Sequence, residues 1–122
     1  MSIDIKKYNN SNIFAQILSR KIPCEIVYED KKVLAFKDIN PQAPIHIVVI
    51  PKESFCSFDD FSKKASPDVV VSLIRSVNVI AEKLSLNDGY RVVSNTGEIG
   101  GQEVPHTHLH ILAGKRLGRI VS

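Results

Sequence analysis

His106-Thr107-His108-Leu109-His110-Ile111-Leu112 carries three of the chain's four histidines, at every second position. The residues between and after them are Thr, Leu and Ile, a composition suited to a strand. Successive side chains of a strand point to opposite faces. His106, His108 and His110 are therefore expected on one face, with Thr107, Leu109 and Ile111 on the other. Neighbouring histidines would stand roughly 6.6 Å apart, twice the rise per residue. A row of imidazoles at that pitch could hold a phosphate or a metal ion.

Three readings of the row compete. As a structural feature it is awkward, because buried imidazoles each need partners and like charges oppose protonation of them all. As a metal site it offers nitrogen ligands, and a third histidine could complete a zinc centre. The three span roughly 13 Å at strand pitch, however, and the strand holds no Cys or carboxylate as a fourth ligand. As a phosphoryl or nucleotidyl transfer site it offers imidazoles that are substantially neutral at pH 7. One can attack phosphorus, and its neighbours can orient it or assist the leaving group. Gly100 and Gly101, just upstream, allow close backbone approach to an oxyanion, although a tight turn needs glycine too. No GxxxxGK[ST] loop is present, which excludes a P-loop NTPase.

Outward from the row, 122 residues with 43% hydrophobic content suffice for one domain with a real core. The net charge of +3 permits anionic ligands. Lys and Arg form no dense run, so no nucleic-acid surface is expected. No apolar run nears the roughly 20 residues that span a bilayer, and the first twelve residues lack a signal-peptide core. Cys24 and Cys56 form no CxxC pair and read as small apolar residues of a reduced, cytoplasmic protein.

Residues 1–10 read as a flexible N-terminal arm, and 11–122 as a single domain. Ser11 or Asn12 caps a short helix to about Arg20, ended by Pro23. Glu25 to Asp30 is β-branched and aromatic at its centre, Asp30-Lys31-Lys32 turns, and Val33 to Phe36 returns, which predicts a hairpin. Asp38 to Pro44 is a loop stiffened by two prolines. Ile45 to Ile50 is apolar apart from His46 and predicts a buried central strand; the imidazole there needs a partner, which the histidine row could supply. Phe55, Phe58 and Phe61 suggest one short helical turn capping the core. Ser66-Pro67-Asp68 opens a long helix of about 20 residues to Leu86, stopped by Asn87-Asp88-Gly89. Tyr90 to Ser94 is a further strand. The total is about five strands, one short helix and one long helix, an α+β fold with an antiparallel sheet.

The alternating histidines, taken with Asn12-Ile13-Phe14, Ile22-Pro23, Ala35-Phe36, Pro41-Gln42-Ala43-Pro44-Ile45-His46, Val49-Ile50-Pro51-Lys52 and Asn95 through Val104, resemble the Hint-like branch of the histidine triad family over roughly residues 11 to 117. The resemblance implies a five-stranded antiparallel sheet and a homodimer in which two sheets become continuous. It implies hydrolysis of purine nucleoside phosphoramidates or aminoacyl-adenylates, with no cofactor. His108 would be the nucleophile, His110 would contact phosphate and help the leaving group, and His106 and His46 would support them. Asn95, Gly101, Gln102 and Val104 would meet the phosphate, with Glu103 among them, and Asp38 the ribose. Ile13, Phe14, Ile22, Phe36 and Ile39 would wall the base pocket. Ile13 and Ile22 are equally consistent with core packing, and Asp38 with a turn cap. Two further readings share the pocket: a nucleotide-binding regulatory module and a dinucleoside polyphosphate hydrolase.

Departures from the family pattern carry expectations too. Some bacterial members place two cysteines of a zinc site near the position of Phe14. Here the segment is Asn12-Ile13-Phe14-Ala15, so no metal is expected. Glu103 stands where a hydroxyl often assists the leaving amine. The chain has no Trp and ends in Leu117 to Ser122, which suggests a bacterial type.

Overall fold

A computed structural model describes residues 3–121; Met1, Ser2 and Ser122, the ends of the arm and of the tail, lie outside the described residues. Helix α1 (Ile13–Leu18) is followed by strands β1 (Ile26–Glu29), β2 (Val33–Lys37) and β3 (Ile45–Pro51). Helices α2 (Phe58–Lys64) and α3 (Pro67–Lys83) and strands β4 (Arg91–Val93) and β5 (Leu109–Ala113) complete the chain. The sheet has the order β1-β2-β3-β5-β4 and every pairing is antiparallel. The expected α+β fold with five antiparallel strands is therefore the one formed.

The β1-β2 hairpin closes where expected. Asp30 Oδ1 accepts from the backbone N–H groups of Lys32 and Val33, both at 2.8 Å, an aspartate-built turn. β2 and β3 are buried along almost their whole length because both faces of the sheet are covered. Val33, Ala35, Ile47, Val49, Leu109 and Ile111 pack with Phe55, Phe61 and the inner stripe of α3. Leu34, Phe36, Val48 and Ile50 pack with Phe14 and Ile17 of α1. The period of two thus sorts adjacent residues into two cores. Leu73 and Ile80 of α3, essentially inaccessible to solvent, each contribute about 2 kcal/mol by burial.

The element boundaries depart from expectation at instructive places. The phenylalanine triplet belongs to a true helix, so there are two short helices rather than one. Ser57 caps α2 through Asp60 N, and the acidic residues Asp59 and Asp60 occupy its first turn. Phe55 and Phe61 meet edge-to-face at 5.3 Å, while Phe58 is exposed. α1 and α3 stop two residues or so early, since Arg20 and Ser85 take positive φ just past their ends. β4 has three residues rather than five.

The largest departure concerns the opening stretch. β5 begins only at Leu109, so His106 and His108 precede the strand. Pro105 provides no N–H, and His106 N closes back on Val104 O at 2.9 Å, bending the chain. The ladder with β4 ends at Val93, opposite His110, and beyond it the Ser94 hydroxyl, rather than a backbone N–H, reaches His108 O at 3.0 Å. Thr107 N instead donates to Phe55 O at 2.8 Å. The alternation of faces survives the bend: His106 and His108 approach Phe14, whereas Leu109 and Ile111 join the α3 core.

Candidate active site

The site lies on the α1 face of the sheet. β3 and β5 pair His46 with Leu112 and Val48 with His110. His46 and His110 are therefore diagonal neighbours on one face, close enough for long side chains to touch. Their rings are 5.0 Å apart, with His46 Nε2 2.8 Å from His110 Nδ1. His108 stands 4.9 Å from His110, ring to ring and nearly perpendicular. Asp38 follows directly on β2. Its N–H donates to His46 O, and its Oδ2 lies 3.5 Å from His46 Nε2. Asp38 Oδ1 accepts from Asn40 N at 2.8 Å, so one oxygen caps the local turn while the other faces His46.

The hydrogen-bond partners assign a tautomer to every histidine. Gln42 N donates to His46 Nδ1 at 3.0 Å, so the His46 proton sits on Nε2 and points at His110 Nδ1. His110 then carries its own proton on Nε2, which has no protein partner among the described residues. His108 Nδ1 lies 2.7 Å from the His106 carbonyl, which can only accept. The Nδ1–H donates there and Nε2 keeps its lone pair. His106 Nε2 likewise donates to Pro51 O at 2.9 Å. A nucleophilic nitrogen on His108 and an N–H donor on His110 thus stand side by side.

Charge reinforces this arrangement. Burial pushes His106 down to about 4, with the neighbouring His108 adding to the shift and the bond to Pro51 opposing it. Burial, then His108 and His46, take His110 down to about 4 against the pull of Asp38. Burial also lowers His108, opposed by its bond to the His106 carbonyl, Asp38 and Glu103, and it lowers His46. In all four rings burial therefore favours the neutral form.

A cavity of about 590 Å³ opens over these groups, within the range of small-ligand sites. It is lined by Ile13, Phe14, Asp38, Ile39, His46, Asn95, Gly101, Glu103, Val104, His108 and His110 among the residues expected from sequence, and additionally by Asn40, Gln42, Val93 and Leu112. Its charged lining residues are Asp38 and Glu103; no Lys or Arg contributes. Four expected residues stand behind the wall. Phe36 is buried against Phe14 at 5.6 Å, and Ile22 packs on the same cluster. His106 is fully buried. Gln102 Nε2 donates to Cys56 O and Val104 O, and its Oε1 accepts from Gly97 N, so this amide braces the glycine loop. That loop admits no side chain at position 100, where a Cβ would lie 2.3 Å from Thr96 O.

Asp38, His46 and His110 also bring one ligand atom each within 4.8 Å of one another. The sequence offers the histidine row and the segment at Phe14 as places to weigh a metal, and the trio that converges is a different one. An ion there would have to displace the His46–His110 hydrogen bond. Tyr8 is not among the residues that the sequence singles out, yet its hydroxyl lies 2.6 Å from His106 Nδ1. A lone aromatic in a polar arm is the one signal that could have found it.

This arrangement has counterparts among known proteins. The HIT domain family model matches residues 19–117. A 13.2 kDa HIT-like protein of Azospirillum brasilense is 48% identical, over 96% of this chain and 97% of its own length. A purine nucleoside phosphoramidase of Escherichia coli K12 is 39% identical over 90% of this chain and 92% of its own. A histidine triad protein from Clostridium difficile superposes with a TM-score of 0.84 at 43% identity, covering 93% of this chain and 98% of that one. With a family match that spans the whole sheet and the histidine segment, the chain belongs to the HIT domain family.

Proposed function

We propose that the protein hydrolyses purine nucleoside phosphoramidates or aminoacyl-adenylates through a nucleotidyl-His108 intermediate. The observation that carries this reading is the pairing of opposite tautomers, a lone pair on His108 Nε2 beside a donor on His110 Nε2. His108 Nε2 attacks phosphorus and forms a P–N bond. In a phosphoramidate the P–N bond then breaks and the amine leaves with a proton taken from solvent; in an aminoacyl-adenylate the P–O bond breaks and the amino-acid carboxylate leaves. Water then attacks phosphorus, the bond to His108 breaks, and the nucleoside monophosphate leaves. His110 Nε2–H stabilises a phosphoryl oxygen or the leaving group during both steps. In this reading Asp38 takes the ribose hydroxyls and Ile13, Phe14 and Ile39 pack against the base; that all four line the cavity supports it. Gly101, Asn95 and the neighbouring backbone supply neutral donors to the phosphate, and Gln102 and Glu103 flank them.

The cavity lining favours a singly charged phosphoramidate over a dinucleoside polyphosphate. Two carboxylates and no cation face the ligand, a poor setting for several phosphate charges. A regulatory nucleotide-binding module remains the second reading, because the same pocket would bind a nucleotide without turnover. His108→Ala separates them: it should abolish hydrolysis of adenosine 5′-phosphoramidate while leaving AMP binding measurable. Retained turnover would sink the mechanism.

A homodimer is part of the proposal. Val71, Ile74 and Val79 are exposed apolar residues of α3, and Val92 is exposed on the edge strand β4. Pairing two such edges would bury both features and make the sheets continuous. Among the described residues no helix is long and apolar enough to cross a membrane. With both cysteines free, a cytoplasmic setting fits.

A further inference from the structure

We propose that Tyr8 is a positioning residue for the histidine row, acting on His108 through His106. The inference rests on the hydrolytic reading above and assigns a part in it to the N-terminal segment.

The geometry is a chain of single-option hydrogen bonds. The Pro51 carbonyl can only accept, so His106 Nε2, at 2.9 Å, holds the proton. His106 Nδ1 is then a bare acceptor, and the Tyr8 hydroxyl at 2.6 Å is its donor. The ring is gripped at both nitrogens, by the end of β3 on one side and by the N-terminal segment on the other. Tyr8 also meets it edge-on at 5.5 Å, and Phe14 at 6.4 Å. The His106 main chain is what holds the nucleophile, because its carbonyl takes the His108 Nδ1–H at 2.7 Å. Fixing the His106 ring therefore fixes the carbonyl that selects the reactive tautomer of His108. His106 has no exposed surface, so bulk water does not readily replace the hydroxyl. Without the hydroxyl, the buried Nδ1 loses its donor and the ring loses one of its two holds.

The same segment reaches the other side of the site. Ile5 Cδ1 lies 3.7 Å from the position a Cβ would take at Gly97, in the loop that Gln102 braces. One short stretch of chain thus touches both the first histidine and the loop proposed to face the phosphate.

The test combines nitrogen NMR of the histidines with steady-state kinetics on adenosine 5′-phosphoramidate. In the unmodified protein, long-range proton–nitrogen spectra should show His106 Nδ1 as an unprotonated, hydrogen-bonded nitrogen. In Tyr8→Phe that resonance should move toward the free-acceptor position. The melting temperature should stay within a few degrees and KM within about twofold. The value of kcat should fall about 3- to 10-fold, the size of one neutral hydrogen bond. A wild-type His106 protonated on Nδ1 overturns the proposal, as does Tyr8→Phe with undiminished kcat. A loss that falls equally on KM and melting temperature also overturns it, since that marks a purely structural anchor. His108→Ala keeps the two readings apart. If it retains turnover, the hydrolytic mechanism fails, and the NMR arm still decides the Tyr8 contact. If it is inactive while Tyr8→Phe runs at full speed, only the positioning role fails.

Discussion

Acidification should destabilise this protein well before its carboxylates titrate. His106 is held near 4 in the folded state, chiefly by burial, against 6.5 when exposed. Its folded value is depressed, so between those limits the unfolded chain binds more protons and stability falls as pH falls. The stability is fully present above about 6.5 and is lost progressively toward about 4. The whole gap, at about 1.4 kcal/mol per pH unit, amounts to about 3 kcal/mol. At pH 5 an exposed histidine is nearly all protonated, whereas His106 is still roughly nine-tenths neutral. Linkage then gives a loss of about 2 kcal/mol between pH 7.5 and pH 5 from this residue alone. His46, His108 and His110 are shifted in the same direction and add to it. Ordinary carboxylates titrate near 4, and Glu29 is held lower still by Lys52 and Arg20, so this window belongs to the histidines. Urea unfolding at fixed protein concentration should show the midpoint dropping by about 1 M over the window, given an m-value near 2 kcal/mol/M. His106→Leu supplies the control: its stability is lower throughout, and its pH slope is shallower by about 2 kcal/mol over the same range. A midpoint that stays flat from pH 7.5 to 5, or an unchanged slope in His106→Leu, would refute the reasoning.

Two other perturbations probe the site and the assembly. His46→Leu removes the donor that holds the His110 Nδ1 lone pair and leaves Gln42 N without its acceptor. Turnover of adenosine 5′-phosphoramidate should fall at least about tenfold, with a smaller change in KM; a kcat within twofold of wild type would show that His110 needs no such partner. Ile74→Glu places a charge on the exposed face of α3, and sedimentation should then give a monomer where the unmodified chain gives a dimer. A monomeric unmodified chain at micromolar concentration would remove the dimer from the proposal.

How much was legible in the sequence can be judged residue by residue. Ser66-Pro67-Asp68 announced α3 through a cap, a first-turn proline and an acid, all of them local devices. The Asp30 turn was equally plain. Phe58 to Lys64 is harder to see, because its three-residue phenylalanine spacing suggests only a single turn, whereas the Ser57 cap and the first-turn acids extend it to a helix. The strand drawn through His106 and His108 failed because composition carries no information about where a pairing partner ends. β4 stops at Val93, and Pro105 lets the chain bend.

Period two in Ile45–Ile50 and in His110–Leu112 was sufficient to place His46 and His110 on the face away from α3. Side-chain alternation is a property of the strand itself. Two tautomers are set by near neighbours, His108 by the His106 carbonyl and His46 by the Gln42 N–H. The contacts that complete His106 and His110 join residues 98, 64 and 55 positions apart, Tyr8 to His106, His46 to His110 and Pro51 to His106. No local pattern encodes them. They exist because β3 lies between β2 and β5, which carries Asp38 to His46 and His46 to His110. They exist also because the N-terminal segment crosses to the end of β3. A tautomer is set by whichever donor or acceptor arrives at the second nitrogen, and only the folded chain decides what arrives.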